Sequence, residues 1–424
     1  MLKPYWYAAL VLLICSCSSQ PIEEPAEAVA QSEFLLLQAN EALRQNEFDI
    51  ALAITDSAQK LAPNSANVHF MRARVNSEIG QWEKAENSYH KVLELDPNYR
   101  GVWNNLGNNT FRQQKFEKAI AYYQKEIARN VKLPPDRRSE AAIPYYQLGR
   151  AYVELGKVDS ARSSFERALA YDSLYALCHF NFALLLEDEG ELAPALAHAQ
   201  RAWQIEPPNL EYRYLLGELL VKLQRYEEAL SLLQEVAQQW PWHHGAHYNL
   251  GQALVRLGRQ EEAQKFLAEA ERVRAQDAKI EHLENTVRSL PNAPMAHAAL
   301  ASAFRRVGRY NDAMHAYKVA AHLAPTNMEI QNNIAILHLI KGDTVKAIQQ
   351  YQRIMQYDPT LVEVWLNLGV VYALARQPQA ARAAWENALK YQPNHPLARK
   401  YLAKLAGTPQ RAASVPEAIA NKRE

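Results

Sequence analysis

The strongest constraint on this chain is that it repeats itself every 34 residues. Rows set from Ser32 align Ala51, Ala85 and Ala119. After a short insert come Ala161, Ala195, Ala229 and Ala263, and after a longer one Ala313, Ala347 and Ala381. Twelve residues before each lies a second small residue: Ala39, Ala73, Gly107, Gly149, Ala183, Gly217, Gly251, Ala301, Ala335 and Gly369. Two helices approach closely only where side chains are small, so each pair marks the crossing of an antiparallel helical hairpin. One hairpin cannot bury its apolar face alone. Stacking ten of them buries a continuous core, so the length of 424 residues implies one elongated array rather than two or three compact domains.

The breaker residues agree. Gly80, Gly156, Gly190, Gly258, Gly308 and Gly342 fall seven positions after the first small residue, where a helix needs a left-handed terminator, and Asn46 takes that place in the first row. Pro63, Pro97, Pro207, Pro241, Pro325, Pro359 and Pro393 fall twelve after the alanine and end the second helix. Most of the 14 glycines are thereby structural, and none is left for a phosphate-binding loop.

This pattern resembles the tetratricopeptide repeat, and Trp103-Asn104-Asn105-Leu106-Gly107 and Trp365-Leu366-Asn367-Leu368-Gly369 match its opening closely. The resemblance implies an all-α fold, a right-handed superhelical solenoid of about ten helical hairpins with a C-terminal capping helix. Rows occupy 32–133 (repeats 1–3), 142–277 (repeats 4–7) and 294–395 (repeats 8–10). Val131, Ser173 and Ala275 replace the closing proline. The insert 134–141 begins Pro134-Pro135 and is expected to be a lengthened loop. In the second insert Phe266, Val273, Ile280 and Val287 recur every seven residues and no Gly or Pro intervenes from Gln260 to Pro291. One long helix is expected there, continuing through 278–293. It either bends the array, offers a self-association face, or lies buried in the stack as an atypical half-repeat. Residues 396–407 should cap the last repeat and 408–424 should be disordered.

The N-terminus carries Lys3 and then an apolar run, Tyr5 to Ile14, too short to span about 30 Å of hydrocarbon. It reads as an export signal. Ile14-Cys15-Ser16-Cys17 resembles the bacterial lipobox, which implies cleavage after residue 16 and acylation (palmitate among the chains) of Cys17. Ser18 lacks the inner-membrane retention aspartate, so the resemblance favours the periplasmic face of the outer membrane. Residues 17–31, rich in Pro, Glu, Ala and Ser, are expected to be a flexible tether. Cys178 is then the one thiol remaining, and no intramolecular disulfide is possible. Charge adds an exclusion: 47 basic against 46 acidic residues give +1, without the cationic excess of a nucleic-acid binder.

By resemblance, positions 2, 5, 6, 9, 12 and 13 of each repeat line a concave groove. Position 5 supplies Phe70, Tyr146, Phe180, Tyr214 and Tyr248, rings suited to a peptide surface, although the family consensus also favours Tyr there. Position 6 supplies Asn105, Gln147, Asn181, Asn249, Asn333 and Asn367. A ladder of carboxamides can hold an extended peptide backbone or bond within its own hairpin. Arg305 and Arg306, with Arg256, make a basic patch; Glu187, Asp188, Glu211 and Glu218 make an acidic one. The cations of a carboxylate clamp are missing. Trp240-Pro241-Trp242-His243-His244, with His247, is the best metal candidate. Yet His247, like His69, His179 and His297, sits where Trp103 and Trp365 pack, so these imidazoles are read as buried spacers and no metal, cofactor or catalytic residue is assigned. The expected function is a membrane-tethered scaffold that binds a protein or peptide partner in the cell envelope. The alternatives are a self-assembling structural lipoprotein and, behind it, a metal-binding protein or enzyme.

Overall fold

The structure, a computed structural model, describes residues 25–130 and 135–406. Cys17, the export signal and the C-terminal tail lie outside these residues. Among the described residues there are 21 α-helices and no strand. The first hairpins are α1–α2 (Ala26–Arg44, Phe48–Leu61), α3–α4 (Ala66–Glu78, Trp82–Leu95) and α5–α6 (Val102–Arg112, Phe116–Asn130). Four more follow: α7–α8 (Ala142–Glu154, Val158–Tyr171), α9–α10 (Ala176–Asp188, Leu192–Ile205), α11–α12 (Leu210–Lys222, Tyr226–Gln239) and α13–α14 (His244–Arg256, Gln260–Ser289). The last three are α15–α16 (Pro294–Arg306, Tyr310–Leu323), α17–α18 (Met328–Ile340, Thr344–Tyr357) and α19–α20 (Val362–Leu374, Pro378–Tyr391), and α21 (Pro396–Ala406) covers the end.

Small residues set the spacing inside each hairpin. A Cβ added to Gly149 would stand 2.6 Å from the Phe165 ring, and one on Gly217 would stand 2.8 Å from Leu233. The aligned alanines, Ala51 through Ala381, are fully buried. Turn positions are left-handed throughout: Gly80 has φ +77° and Asn46 has φ +56°. Rows without Gly or Asn adopt the same conformation with Gln114, Gln224 and Arg376, at φ +60°, +61° and +57°. The sequence reading passed over these three, because no residue type marks them.

Two expectations need correction, and of the three readings left open for the second insert the buried one holds. Helix α1 begins at Ala26, so the tether expected to run to residue 31 gives way to helix six residues early. Its Ala-Glu-Ala-Val-Ala-Gln segment is built from good helix formers placed just after Pro25. Residues Pro135–Ala141 form a 3-10 turn rather than an irregular loop. The seven-residue stripe of α14 is no free face: Val273 is fully buried, Ile280 is 5% exposed, and Leu283 and Val287 pack against the core of repeat 8. The first half of α14 closes repeat 7 on α13 and its second half seats α15, so one helix serves two hairpins.

The largest departure is in the overall path. Repeats of a solenoid are expected to touch only their neighbours. Here the turns of repeats 1 and 2 meet α16 of repeat 8, more than 240 residues along the chain. Val319 on α16 is 3% exposed and belongs to the apolar cluster of Leu36, Ala51, Val68 and Ile79. Polar contacts flank it. His315 Nδ1 lies 2.9 Å from Asn46 Oδ1, Lys318 Nζ donates to the Gln45 carbonyl at 2.5 Å, and His322 Nδ1 lies 2.5 Å from Asp49 Oδ1. Phe48 meets the His315 ring edge-on at 5.8 Å. The array thus closes one turn upon itself along a seam.

Candidate peptide-binding groove

First helices of successive repeats touch one another, as α1 does α3, α7 does α9 and α11 does α13, which places them on the inner side of the curve. Their side chains line the groove. What each contributes depends on its bonds to the next repeat.

Positions 5 and 6 form a ladder between repeats, not free arms. Asn181 Nδ2 donates to the Tyr146 hydroxyl at 3.1 Å, Asn249 Nδ2 to the Tyr214 hydroxyl at 3.2 Å, and Asn367 Nδ2 to Asn332 Oδ1 at 3.2 Å. Each bond spans 35 residues, one repeat plus one position. Asn181 Nδ2 also donates to the Leu177 carbonyl at 2.9 Å, and Asn105 Nδ2 to the Gly101 carbonyl at 2.8 Å. An amide has two N–H donors. Those of Asn181 are both used, leaving its Oδ1 to accept from a ligand. Gln147 accepts from Arg150 at 3.2 Å. Asn333 is half-buried at the same position of repeat 9.

The aromatic set divides. Tyr146 is 2% exposed, wedged against Phe165 and Tyr175, and burial pushes its hydroxyl up to about 12. It supports the next repeat and offers no ring face to a ligand, which corrects its assignment to the groove surface. Phe70 packs on Tyr99 with centroids 5.1 Å apart, and Phe180 on Tyr212 at 5.0 Å, so both are half-spent between repeats. Tyr214 is held by His243, 4.4 Å between rings; burial, then the Glu218 carboxylate, pushes its hydroxyl far up. Gly245 leaves the space that this hydroxyl fills. Tyr248 is 46% exposed and stacks on His244. Three apolar side chains that the sequence reading did not single out are open beside these: Ile143 (45% exposed), Leu177 (38%) and Val153 (40%). Their signal was present, as apolar residues at groove positions 2 and 12.

Charge is also partly consumed. Lys222 bridges Glu187 at 2.7 Å and Glu218 at 3.5 Å, so the acidic patch contains its own counter-ion. Burial raises the Glu187 carboxyl above the usual range, with the Lys222 ammonium opposing. Arg306 is exposed, whereas Arg305 is half-buried beside Tyr317 with its Nε unpartnered.

The histidines have a different task. His69, His179, His247 and His297 each place Nε2 against the carbonyl six residues earlier, at 2.8, 3.2, 3.1 and 2.8 Å. Trp365, Gln331, Arg213 and Arg399 donate to the equivalent carbonyl in their rows. In these eight rows the fourth position staples the loop between repeats with donors of different types; in repeat 3 Arg129 reaches the Pro97 carbonyl instead. His243 instead caps α13, its Nδ1 accepting from the Ala246 amide at 3.0 Å, and burial lowers it to about 4. Among the described residues no three His, Cys, Asp or Glu converge as a metal site. Cys178 is buried, and burial pushes its thiol up to about 12. Among those residues, too, no helix is long and apolar enough to cross a membrane.

Sequence profiles of the tetratricopeptide repeat match residues 66–99, 100–173, 220–287, 298–360 and 338–405. A profile of anaphase-promoting complex subunit 3 matches 165–236. The chain is 26% identical over 132 residues to the small glutamine-rich tetratricopeptide repeat-containing protein 2 of Saccharomyces cerevisiae, covering 31% of this chain and 37% of that one. It is 25% identical over 245 residues to the human protein O-mannosyl-transferase TMTC1, covering 56% and 25%. It thus spans about a third and a quarter of these relatives' own lengths. Among solved structures, Pseudomonas aeruginosa pilF is similar at 20% identity and TM-score 0.45, over 52% of this chain and 96% of that one. Repeat spacing, hairpin geometry and profile matches agree, and the chain belongs to the tetratricopeptide repeat family.

Proposed function

We propose that this chain is a non-catalytic scaffold, tethered through a lipid on Cys17 in a bacterial envelope, that binds an extended segment of a partner protein in its groove. The observation that carries this reading is the open surface across repeats 4 to 7. Exposed Ile143, Val153, Leu177 and Tyr248 lie there beside the Asn181 and Asn249 amides. Apolar side chains supply desolvation, and amide oxygens accept backbone N–H groups whatever the partner's sequence. Since the Asn181 donors are committed to the Tyr146 hydroxyl and to the Leu177 carbonyl of its own helix, the groove favours a peptide edge that presents donors.

Photo-crosslinking residues at Leu177 and Tyr248, in cells making the full-length chain, should capture a discrete partner that the same probes on the convex face do not. Capture equal on both faces would count against the groove. Lipidation is a separate matter: Cys17→Ala should abolish incorporation of labelled palmitate, and undiminished labelling would remove the anchor from the reading.

A further inference from the structure

A cavity of about 560 Å³ lies in the seam where repeats 2 and 3 meet repeat 8. Its lining is mixed: half-buried Trp82, Val287 and Pro291 present apolar surface, the buried Ile79, Leu300, Phe304 and Val319 lie behind them, and His297 and His315 stand among them. The end wall comes from the second insert. Val287, Arg288 and Pro291 reach it because α14 runs on for 30 residues, and Pro291 lies 3.9 Å from the Cβ position of Gly80. The long helix therefore does more than join two blocks of repeats; it supplies one wall of a half-open cavity.

The rim is cationic. Arg112 and Arg309 are paired, with Glu78 at 3.2 Å and Asp312 at 2.7 Å. Lys115 and Arg288 bond to neutral amides, Gln113 at 2.7 Å and Asn285 at 3.2 Å, so their charges are uncompensated. Apolar surface under two spare positive charges, within the 300–1,000 Å³ range of small-ligand sites, has the chemistry of an amphiphile pocket. Interfaces between separate parts of a fold are favoured places for such sites.

We propose that the seam cavity binds a small amphiphilic anion, an apolar chain ending in a carboxylate, and that this ligand fastens repeats 2 and 3 to repeat 8. The chain lies on Trp82, Val287 and Pro291, and the head group meets Lys115 and Arg288. The ligand touches both sides of the seam, so binding stabilises the closed turn. None of this depends on the groove.

Isothermal titration of the full-length chain with decanoate, below its micellar concentration, tests it. One decanoate should bind per chain, about tenfold or more tighter than decyltrimethylammonium or decanol. The surface variant Lys115→Glu with Arg288→Glu should weaken decanoate by about tenfold or more while leaving the far-ultraviolet circular dichroism unchanged. Val287→Trp, which fills the cavity from the half-buried end wall, should abolish binding. Equal affinity for the cationic detergent, undiminished binding by the double variant, or no stoichiometric binding up to the micellar limit would each overturn the assignment.

Discussion

Val319→Ala isolates the contribution of the seam. Val319 belongs to repeat 8 by sequence but is buried among Leu36, Val68 and Ile79 of repeats 1 and 2. The substitution removes two carbons. At about 0.8 kcal/mol for each buried CH₂-sized group, the loss is about 1.6 kcal/mol before any cavity penalty. Local opening of repeats 1 and 2 becomes easier by that amount, and about 1.4 kcal/mol corresponds to a factor of ten, so amide exchange there should accelerate about fifteenfold. Hydrogen–deuterium exchange with mass spectrometry would follow peptides from α1 to α4 against those of α9 to α13, which lie away from the seam. Acceleration confined to the first group is the expected result. Unchanged exchange in α1 to α4, or equal acceleration everywhere, would refute the claim that the array is closed by this contact.

Other outcomes follow from single positions. Gln224→Gly relieves a side chain at φ +61° and should stabilise the fold by about 0.5–1 kcal/mol once the unfolded-state entropy of glycine is set against the left-handed strain, read as a higher urea midpoint; a lower midpoint would disprove it. Gly149→Ala forces a methyl against the Phe165 ring and should destabilise by about 1–3 kcal/mol in the same assay, whereas a neutral result would mean the hairpin gives way easily. A double-mutant cycle of Tyr214→Phe and Asn249→Ala should show coupling of about 0.5–1.5 kcal/mol, and additivity would dismiss the ladder bond. For pH, burial holds His198, His243 and His338 down to about 4 against an ordinary 6.5. The unfolded chain then binds more protons between those values. Stability is therefore full above about 6.5 and is lost as pH falls toward 4. Melting temperatures should drop across that window, with a shallower drop in His198→Phe; identical slopes would exclude His198 as a source.

Much of the fold was legible because small residues and left-handed turns are local demands, written into single positions such as Gly149 and Gly80. The long helix was legible from the spacing of Phe266, Val273, Ile280 and Val287. The seam was not, because nothing in Val319 or His322 distinguishes a residue that faces solvent from one that faces a repeat 240 positions away. In the groove, counting along the 34-residue row placed Tyr146 at position 5 and Asn181 at position 6. Their mutual hydrogen bond depends on the stagger between repeats, which one row of sequence does not contain. The three left-handed residues without Gly or Asn were hidden for the opposite reason: neighbouring hairpins impose the conformation whatever the side chain.

The staple at position 4 carries one more implication, for proton placement. Because a carbonyl can only accept, His69, His179, His247 and His297 must each carry a proton on Nε2. At His179 the remaining nitrogen, 2.8 Å from His198 Nδ1, accepts in turn and fixes the tautomer of that second ring. The neutral Nε2–H tautomer and the imidazolium both carry that hydrogen, so the staple holds in either form. An Arg or Trp can replace them for the same reason: the fold asks this site for one directed N–H and is indifferent to the basicity behind it.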